Sequence, residues 1–84
     1  MTIETLRDEI DIIDAQLIDL LNHRYCYFIE IGKLKKEQGT MVRDAIRERK
    51  IIDGLSENEW HPGMVEAVWP AIMAFSRELQ SLNK

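Results

Sequence analysis

The N-terminal part of this chain carries a regular spacing of apolar residues that restricts its possible folds. From Ile3 to Leu34, apolar side chains recur at alternating steps of three and four, the heptad pattern of a helix that packs along one side against another helix. No proline interrupts this segment, Gly32 is its only weak point for helix stability, and Gly39 is well placed to end it. The pattern predicts one helix from about Ile3 to about Gln38. Its apolar line, called the seam below, consists of Ile3, Leu6, Ile10, Ile13, Leu17, Leu20, Arg24, Tyr27, Ile31 and Leu34.

A helix of this length is too long for a compact chain of 84 residues. About 35 residues at about 1.5 Å each extend for roughly 50 Å, whereas a compact domain of this size has a radius of gyration of about 12 Å. Disulfides within the chain cannot support the small core, because Cys26 is the only cysteine. The seam is therefore expected to pack against a second copy of the chain, in an antiparallel or intertwined homodimer.

Two shorter helices are expected after the first. Asp44 is suited to cap the second helix, which is expected to run to about Leu55. The third helix is expected to start near Pro62, a favoured first-turn residue, and Pro70 inside it is expected to kink it. The sequence thus predicts an all-α fold of three helices, one long and two shorter, in a single domain that covers residues 1–84.

The composition narrows the class of protein. The formal net charge is −4, so the chain lacks the broad basic surface that is typical of nucleic-acid binding. The N-terminus is acidic and lacks the layout of a signal peptide, and no apolar run is long enough to cross a membrane. With one cysteine and no Cys/His spacing typical of zinc, these features favour a cytoplasmic protein without a metal site.

Arg24 is the one charged residue within the seam. Burial of an unpaired guanidinium costs several kcal/mol, so Arg24 either pairs with a glutamate and fixes the register of the dimer, or binds an anion. Lys35 follows about three helical turns later and projects from the same side of the helix, roughly 16 Å away. Arg7 precedes Arg24 by roughly 25 Å, so it can reach the same small ligand only from a partner chain. Taken alone, Arg7 and Lys35 would be ordinary exposed residues.

Further polar residues occur at helical spacing on the two later segments. Asp44, Arg47 and Glu48 share one side of a first turn, and Ser76 and Gln80 point the same way on the third segment. The sequence contains no Ser/His/Asp set, phosphate loop or metal cluster. A set of cations, one acid, one hydroxyl and one neutral amide suits a reaction that needs positioning and charge stabilisation rather than proton transfer.

In order and spacing, five pieces of the sequence resemble the all-α class of chorismate mutases across nearly the whole chain. They are LRDEID, LIDLLNHR, IGKLK, VRDAIRER and the pair Ser76 and Gln80. The resemblance implies an intertwined homodimer without a cofactor, with two equal sites that convert chorismate to prephenate on the way to phenylalanine and tyrosine. The implied reaction is a unimolecular Claisen rearrangement with no covalent intermediate.

The resemblance also implies a role for each polar residue of the site. Arg24 and the partner subunit's Arg7 match the arginines that bind the two carboxylates of the substrate. Lys35 and Gln80 match the two donors to the ether oxygen, where negative charge builds as the C–O bond breaks, and Lys35 also contacts a carboxylate. Glu48 matches the acid that accepts a hydrogen bond from the ring hydroxyl. The expected catalytic residues are thus Lys35, Gln80, Arg24 and Glu48, and the supporting ones are Asp44 near that hydroxyl, Arg47 beside this cluster and Ser76 near the ring carboxylate.

Other activities stay open at this point. An isochorismate-pyruvate lyase on the same fold generally lacks the acid, so Glu48 favours a mutase. A mutase for 4-amino-4-deoxychorismate, in a secondary-metabolite pathway, has a substrate that differs only at the group that Glu48 would contact. A non-catalytic helical dimer would explain the seam but not the register of the polar residues. Pro70 and the short link ENEWHPG depart from the family pattern, and a kink at Pro70 would displace Ser76 and Gln80.

Overall fold

The computed structural model describes residues 1–39 and 44–81, and these residues form three α-helices and no β-strand. Helix α1 spans Ile3–Gln38, α2 spans Ala45–Ser56 and α3 spans Met64–Ser81. The VRDAIRER piece begins outside the described residues. Within them, no helix combines the length and the apolar character needed to cross a membrane. The predicted all-α fold with one long and two shorter helices is confirmed.

Helix α1 is 36 residues long, and both of its ends are capped. At the start, the Thr5 amide donates a hydrogen bond to Thr2 Oγ1 at 3.1 Å, and the Thr2 amide donates to Thr5 Oγ1 at 2.9 Å. At the end, Gly39 adopts a left-handed φ of 70°, which glycine accepts without a Cβ clash. Its amide donates to the carbonyls of Lys35 and Lys36. The helix therefore ends where the sequence predicts.

Helix α2 begins directly after Asp44, as predicted. The Asp44 carboxylate accepts a hydrogen bond from the Arg47 amide at 2.9 Å, which satisfies one of the amides that have no partner within the helix. This cap fixes the first turn of α2, and with it the direction of the side chains of Arg47 and Glu48.

The start of α3 differs from the prediction, because the helix begins at Met64 rather than near Pro62. The reason is the side chain of Glu59, which reaches forward from the preceding loop. Its two carboxylate oxygens accept hydrogen bonds from the amides of Gly63 and Val65, each at 3.0 Å. A carboxylate at this end also interacts favourably with the helix dipole. The helix therefore begins where the carboxylate satisfies its first amides.

Helix α3 packs against both α1 and α2, and it carries most of the small core. The buried apolar side chains are Ile52, Val65 and Met73. The crossing with α1 is close, because a Cβ atom on Gly32 would lie 2.5 Å from the backbone oxygen of Gln80 and 2.7 Å from its Cα atom. The glycine that the sequence marks only as a weak point of α1 is thus required for the contact between the two helices.

The seam is largely exposed in the single chain. Leu6, Ile10, Leu17 and Leu20 retain between 46% and 63% of their accessible surface. The described part of the chain extends to 54 Å, and its radius of gyration is 16.0 Å rather than the roughly 12 Å of a compact domain of this length. The long helix projects beyond its own core, as the length argument requires, and its burial in a homodimer stays a prediction.

Candidate active site

A cleft of about 320 Å³ opens between the C-terminal half of α1, the first turns of α2 and the C-terminal half of α3. Side chains from all three helices line it, and both apolar and polar groups are present, as is typical of sites for small molecules. The apolar residues are Phe28, Ile31, Ile51 and Met73, and the polar ones are Arg24, Lys35, Asp44, Arg47, Glu48, Ser76, Arg77 and Gln80.

Arg24 lies at the position where the charge interrupts the seam. Its guanidinium donates a hydrogen bond from Nη1 to the Ser76 hydroxyl and stacks over the ring of Phe28, 4.7 Å from the ring centroid. The Ser76 hydroxyl in turn donates to the carbonyl of Ile72 at 2.9 Å, which orients its lone pairs. Partial burial lowers the pKa of Arg24 from its ordinary value, but an arginine stays charged at neutral pH. The cation is therefore held in place by neutral groups.

Gln80 is buried, with 6% of its surface exposed. Its backbone rests against Gly32, so the close crossing of α1 and α3 fixes its position. Its Oε1 atom is buried and has no hydrogen-bond partner among the described residues. A buried polar atom without a partner costs about 1–3 kcal/mol, so this amide is suited to interact with a ligand in the cleft.

Glu48 enters the cleft from α2 and forms an ion pair with Arg77 of α3. Arg77 Nη1 donates to both carboxylate oxygens, at 2.6 and 2.8 Å. Both side chains are largely buried, with 20% of Glu48 and 28% of Arg77 exposed. This pair fixes the carboxylate and joins two helices across one end of the cleft.

The charges around the cleft differ in sign from those of the whole chain. Among the described residues that line it, four are cations and two are carboxylates, which leaves a formal excess of two positive charges. The complete chain has a net charge of −4. Because opposite charges attract, this local excess favours an anionic ligand.

The cleft contains every residue that the sequence places in the site except Arg7. Arg7 is exposed near the other end of α1, as expected of a residue that is too far away to serve its own chain. Among the described residues of one chain, Arg24 bonds to Ser76. Its pairing with a glutamate that fixes the register of a dimer stays a prediction. Ser76 and Gln80, which a kink at Pro70 would displace, are both buried beside the cleft.

Arg77 is the charged residue of the cleft that the sequence did not predict, and the apolar lining, including Phe28 under Arg24, was not predicted either. Glu48, the partner of Arg77, lies on a different helix, so no spacing within one helix indicates the ion pair. One signal was present, because Arg77 lies three residues before Gln80 and therefore on a neighbouring part of the same helix face.

An all-helical fold with a small cationic cleft is the class that these features define, and such a cleft suits a small anionic molecule. Residues 6–81 match the model of the chorismate mutase type II family. The chain therefore belongs to this family, and it is an isomerase that binds a chorismate-like substrate. The resemblance seen in the five sequence pieces is confirmed. A comparison with curated proteins found no match.

Proposed function

We propose that this protein converts chorismate to prephenate, in a cleft that a second chain completes. The observation that carries the proposal is the excess of two positive charges around the cleft in a chain with a net charge of −4. Chorismate carries two carboxylates, so its charge is opposite to that of the cleft, to which the partner subunit's Arg7 would add one more cation. The same cleft supplies a carboxylate for the ring hydroxyl and two donors for the ether oxygen.

Arg24 is the proposed ligand of one substrate carboxylate. Its guanidinium is already oriented by Ser76 and Phe28, so little side-chain entropy is lost on binding. A guanidinium can donate two parallel hydrogen bonds to a carboxylate, which fixes the orientation as well as the position of the ligand. Ser76, beside Arg24, is the proposed neighbour of the ring carboxylate.

The proposed reaction needs no nucleophile and no base. The ether C–O bond of chorismate breaks while a new C–C bond forms, and no proton is transferred. Negative charge builds on the ether oxygen as its bond to carbon lengthens. Lys35 and Gln80 are the proposed donors to this oxygen, and they stabilise the transition state more than the bound substrate because the charge is largest there. Loss of one such donor typically costs about 3–4 kcal/mol.

The buried amide of Gln80 supports its part in this mechanism. Its buried Oε1 atom is without a hydrogen-bond partner among the described residues, so no hydrogen bond within that part of the chain fixes which end of the amide points there. The two ends of an amide have the same shape, and rotation presents Nε2 at the same point. An N–H donor held there would meet the ether oxygen without a change of protonation state.

Glu48 is the proposed acceptor for the ring hydroxyl, with Asp44 and Arg47 around it. The Asp44 carboxylate accepts a hydrogen bond from the Arg47 amide, and the Asp44 carbonyl accepts one from the Glu48 amide at 3.0 Å. These bonds hold the Asp44 backbone, its proposed contribution to the site, beside Glu48. Arg47 lines the cleft from the same turn and supports the cluster with its charge.

The second substrate carboxylate is assigned to the partner subunit's Arg7. Arg7 of the same chain lies roughly 25 Å from Arg24 along a straight helix, too far to reach one small molecule. The exposed seam gives a surface on which a second chain can pack in an intertwined homodimer. In that arrangement each of two equal sites uses α1 of both chains.

The biological setting follows from the proposed product. Prephenate is the precursor of phenylalanine and tyrosine, so residues 1–84 form a chorismate mutase domain of the shikimate pathway in this proposal. The exposed thiol of Cys26 is compatible with the reducing cytoplasm.

The test is to incubate the purified protein separately with chorismate, 4-amino-4-deoxychorismate and isochorismate, and to identify the products by chromatography. Conversion of chorismate to prephenate is expected. Release of pyruvate from isochorismate without formation of prephenate would instead indicate the lyase, and turnover of the amino compound alone would indicate the amino mutase. Absence of turnover with all three compounds would contradict the proposal and favour the alternative of a non-catalytic helical dimer.

Two neighbouring lysines provide a matched control for the site. Lys35 lines the cleft, whereas Lys36 is exposed on the next position of the helix. Lys35→Ala is expected to lower kcat by roughly a hundredfold or more, and Lys36→Ala is expected to leave it unchanged. Equal kcat values for Lys35→Ala and Lys36→Ala would contradict the proposed role of Lys35 as a hydrogen-bond donor.

A further inference from the structure

The ion pair between Arg77 and Glu48 changes the charge that a ligand meets at one end of the cleft. Arg77 Nη1 donates to both carboxylate oxygens, at 2.6 and 2.8 Å, and both side chains line the cleft. Only 20% of Glu48 and 28% of Arg77 are exposed, so water screens this pair less than a surface pair. A ligand group beside Glu48 therefore meets a neutral pair rather than an isolated anion.

A neutral pair favours one kind of ligand group over another. Each carboxylate oxygen has two lone pairs, so Glu48 can still accept a hydrogen bond from a hydroxyl. An ammonium at the same place would meet the Arg77 guanidinium as well as the carboxylate. Arg47 adds a further cation on this side and Asp44 a further anion, so these two formal charges cancel and the pair of Arg77 and Glu48 decides the difference. The repulsion from the Arg77 guanidinium offsets the attraction that Glu48 alone would provide.

From this geometry we infer that Arg77 is a positioning and specificity residue, which makes the site select a neutral hydroxyl over an ammonium at the ring carbon that faces Glu48. The inference rests on the proposed function, because it assigns that ring substituent to Glu48. In this inference, Arg77 makes the site prefer chorismate to 4-amino-4-deoxychorismate. The presence of Glu48 alone does not decide between these two substrates. Arg77 acts through the carboxylate, which it orients and neutralises.

A second ion pair provides a control for a purely structural role. Arg49 of α2 donates to Glu66 of α3 at 2.5 Å, so this pair also ties α2 to α3. Arg49 does not line the cleft, and about half of each side chain in this pair is exposed. Removal of either arginine takes away a tie between the same two helices, but only Arg77 would alter the charge beside Glu48.

The experiment compares the ratio of kcat/KM for chorismate to kcat/KM for 4-amino-4-deoxychorismate in the wild type, Arg77→Met, Arg77→Lys and Arg49→Met. The ratio does not depend on the fraction of enzyme that is folded, because both substrates are tested on the same preparation. Where the amino compound is converted too slowly, its inhibition constant against chorismate replaces the second rate. The wild type is expected to prefer chorismate by at least about tenfold, the effect of one partly screened like charge at short range.

Arg77→Met is expected to lower this ratio by about tenfold, Arg77→Lys to retain most of it, and Arg49→Met to leave it unchanged. A ratio that stays constant in Arg77→Met, or that falls equally in Arg49→Met, would overturn the inference while chorismate turnover still supports the proposed function. A wild type that prefers the amino compound would also overturn it, even if Arg77→Met does not fold. A wild type that converts neither compound would overturn the proposed function, and the inference with it.

Discussion

Gln80 combines deep burial with a side chain that does not titrate. Its position is fixed by the contact of its backbone with Gly32, and its Oε1 atom lacks a partner in the described part of the chain. A lysine or arginine at this depth would carry a large desolvation cost, whereas an amide supplies a hydrogen-bond donor without a charge. The proposed site therefore places one charged donor, Lys35, and one neutral donor around a single oxygen.

Replacement of this amide by a carboxyl group gives a pH-dependent prediction. In Gln80→Glu the ionised carboxylate cannot donate a hydrogen bond, and it repels the charge that builds on the ether oxygen. We expect kcat/KM to fall by roughly a hundredfold or more at about pH 8 and to recover as the pH falls and the carboxyl becomes protonated. The measurement is kcat/KM from about pH 4 to about pH 8. Gln80→Ala has no group that titrates and should stay weak throughout, and full activity of Gln80→Glu at about pH 8 would contradict the donor role.

At the scale of single residues, the sequence predicts site residues that stand out in the spacing of one helix. It does not predict contacts between side chains of two different helices. Arg24 stands out because it interrupts a seam, and Lys35 follows it on the same side of α1. Arg77 does not stand out, since its partner Glu48 lies on another helix and only the packing of α2 against α3 brings them together. Burial of Ser76 and Gln80 depends on the same packing, so spacing alone left them as ordinary polar residues of a helix surface.

Among the helices, the crossing of α1 and α3 is the contact that most depends on one residue. Gly32→Ala places a Cβ atom 2.5 Å from the backbone oxygen of Gln80. Because backbone atoms cannot move aside as a flexible side chain does, α3 must shift. We expect a loss of about 1–3 kcal/mol in the free energy of unfolding and a decrease in activity, measured by urea denaturation and by kcat/KM.

Gly54→Ala is the matched control for this change. Gly54 lies within α2, and a Cβ atom there would meet nothing within 4 Å. Alanine is favoured over glycine in a helix by about 0.5–1 kcal/mol, so this variant is expected to be slightly more stable and equally active. A gain in stability for both variants would contradict the claim that the crossing of α1 and α3 has no room for a Cβ atom at position 32.

The Glu59 cap of α3 gives a prediction for stability against pH. The backbone hydrogen bonds from Val65 and Gly63 lower the pKa of Glu59 below its ordinary value. A lowered pKa in the folded state means that the carboxylate stabilises the fold above about pH 4.3, the value in an unfolded chain, and that this contribution is lost as the pH falls through the folded-state pKa. Glu59→Gln is expected to lower the Tm near neutral pH, and the difference from the wild type should shrink in acid.

Thermal unfolding of both proteins between about pH 3 and about pH 7 measures this effect. Glu57→Gln removes an exposed carboxylate from the same loop and controls for the change of net charge. A difference between Glu59→Gln and the wild type that stays constant across this range would show that the ionised carboxylate is not what caps α3.

The bounds of the helices were predictable where local signals decide them. The seam, its lack of proline and Gly39 specify α1, and Asp44 specifies the start of α2. The start of α3 was wrong by two residues because the cap comes from Glu59, a side chain of the loop rather than a residue at the usual capping position. Helix α3 continues through Pro70, and the kink expected there stays a prediction.

For the whole molecule, the exposed seam and the position of Arg7 both favour the proposed homodimer. The buried core of one chain consists of a few side chains, whereas large apolar residues along α1 stay exposed. Burial of that surface in a dimer would contribute about 25 cal/mol for each square ångström of apolar area removed from water. The same association would bring the partner subunit's Arg7 toward the cleft, so folding and completion of the site would become one event.

A complementation experiment tests whether each site contains residues of two chains. It uses Arg7→Ala and Arg24→Ala, each of which is expected to be nearly inactive alone. In a mixed dimer, the cleft of the Arg7→Ala chain keeps its own Arg24 and receives an intact Arg7 from the other chain. The opposite cleft lacks both arginines. Random exchange gives about half mixed dimers with one intact site each, so about a quarter of the wild-type sites should return. The measurement is kcat per chain after unfolding and refolding of the mixture, with each variant refolded alone as the control. If tagged chains show that exchange has occurred and no activity returns, each site is built from a single chain, and Arg7 has no place in it.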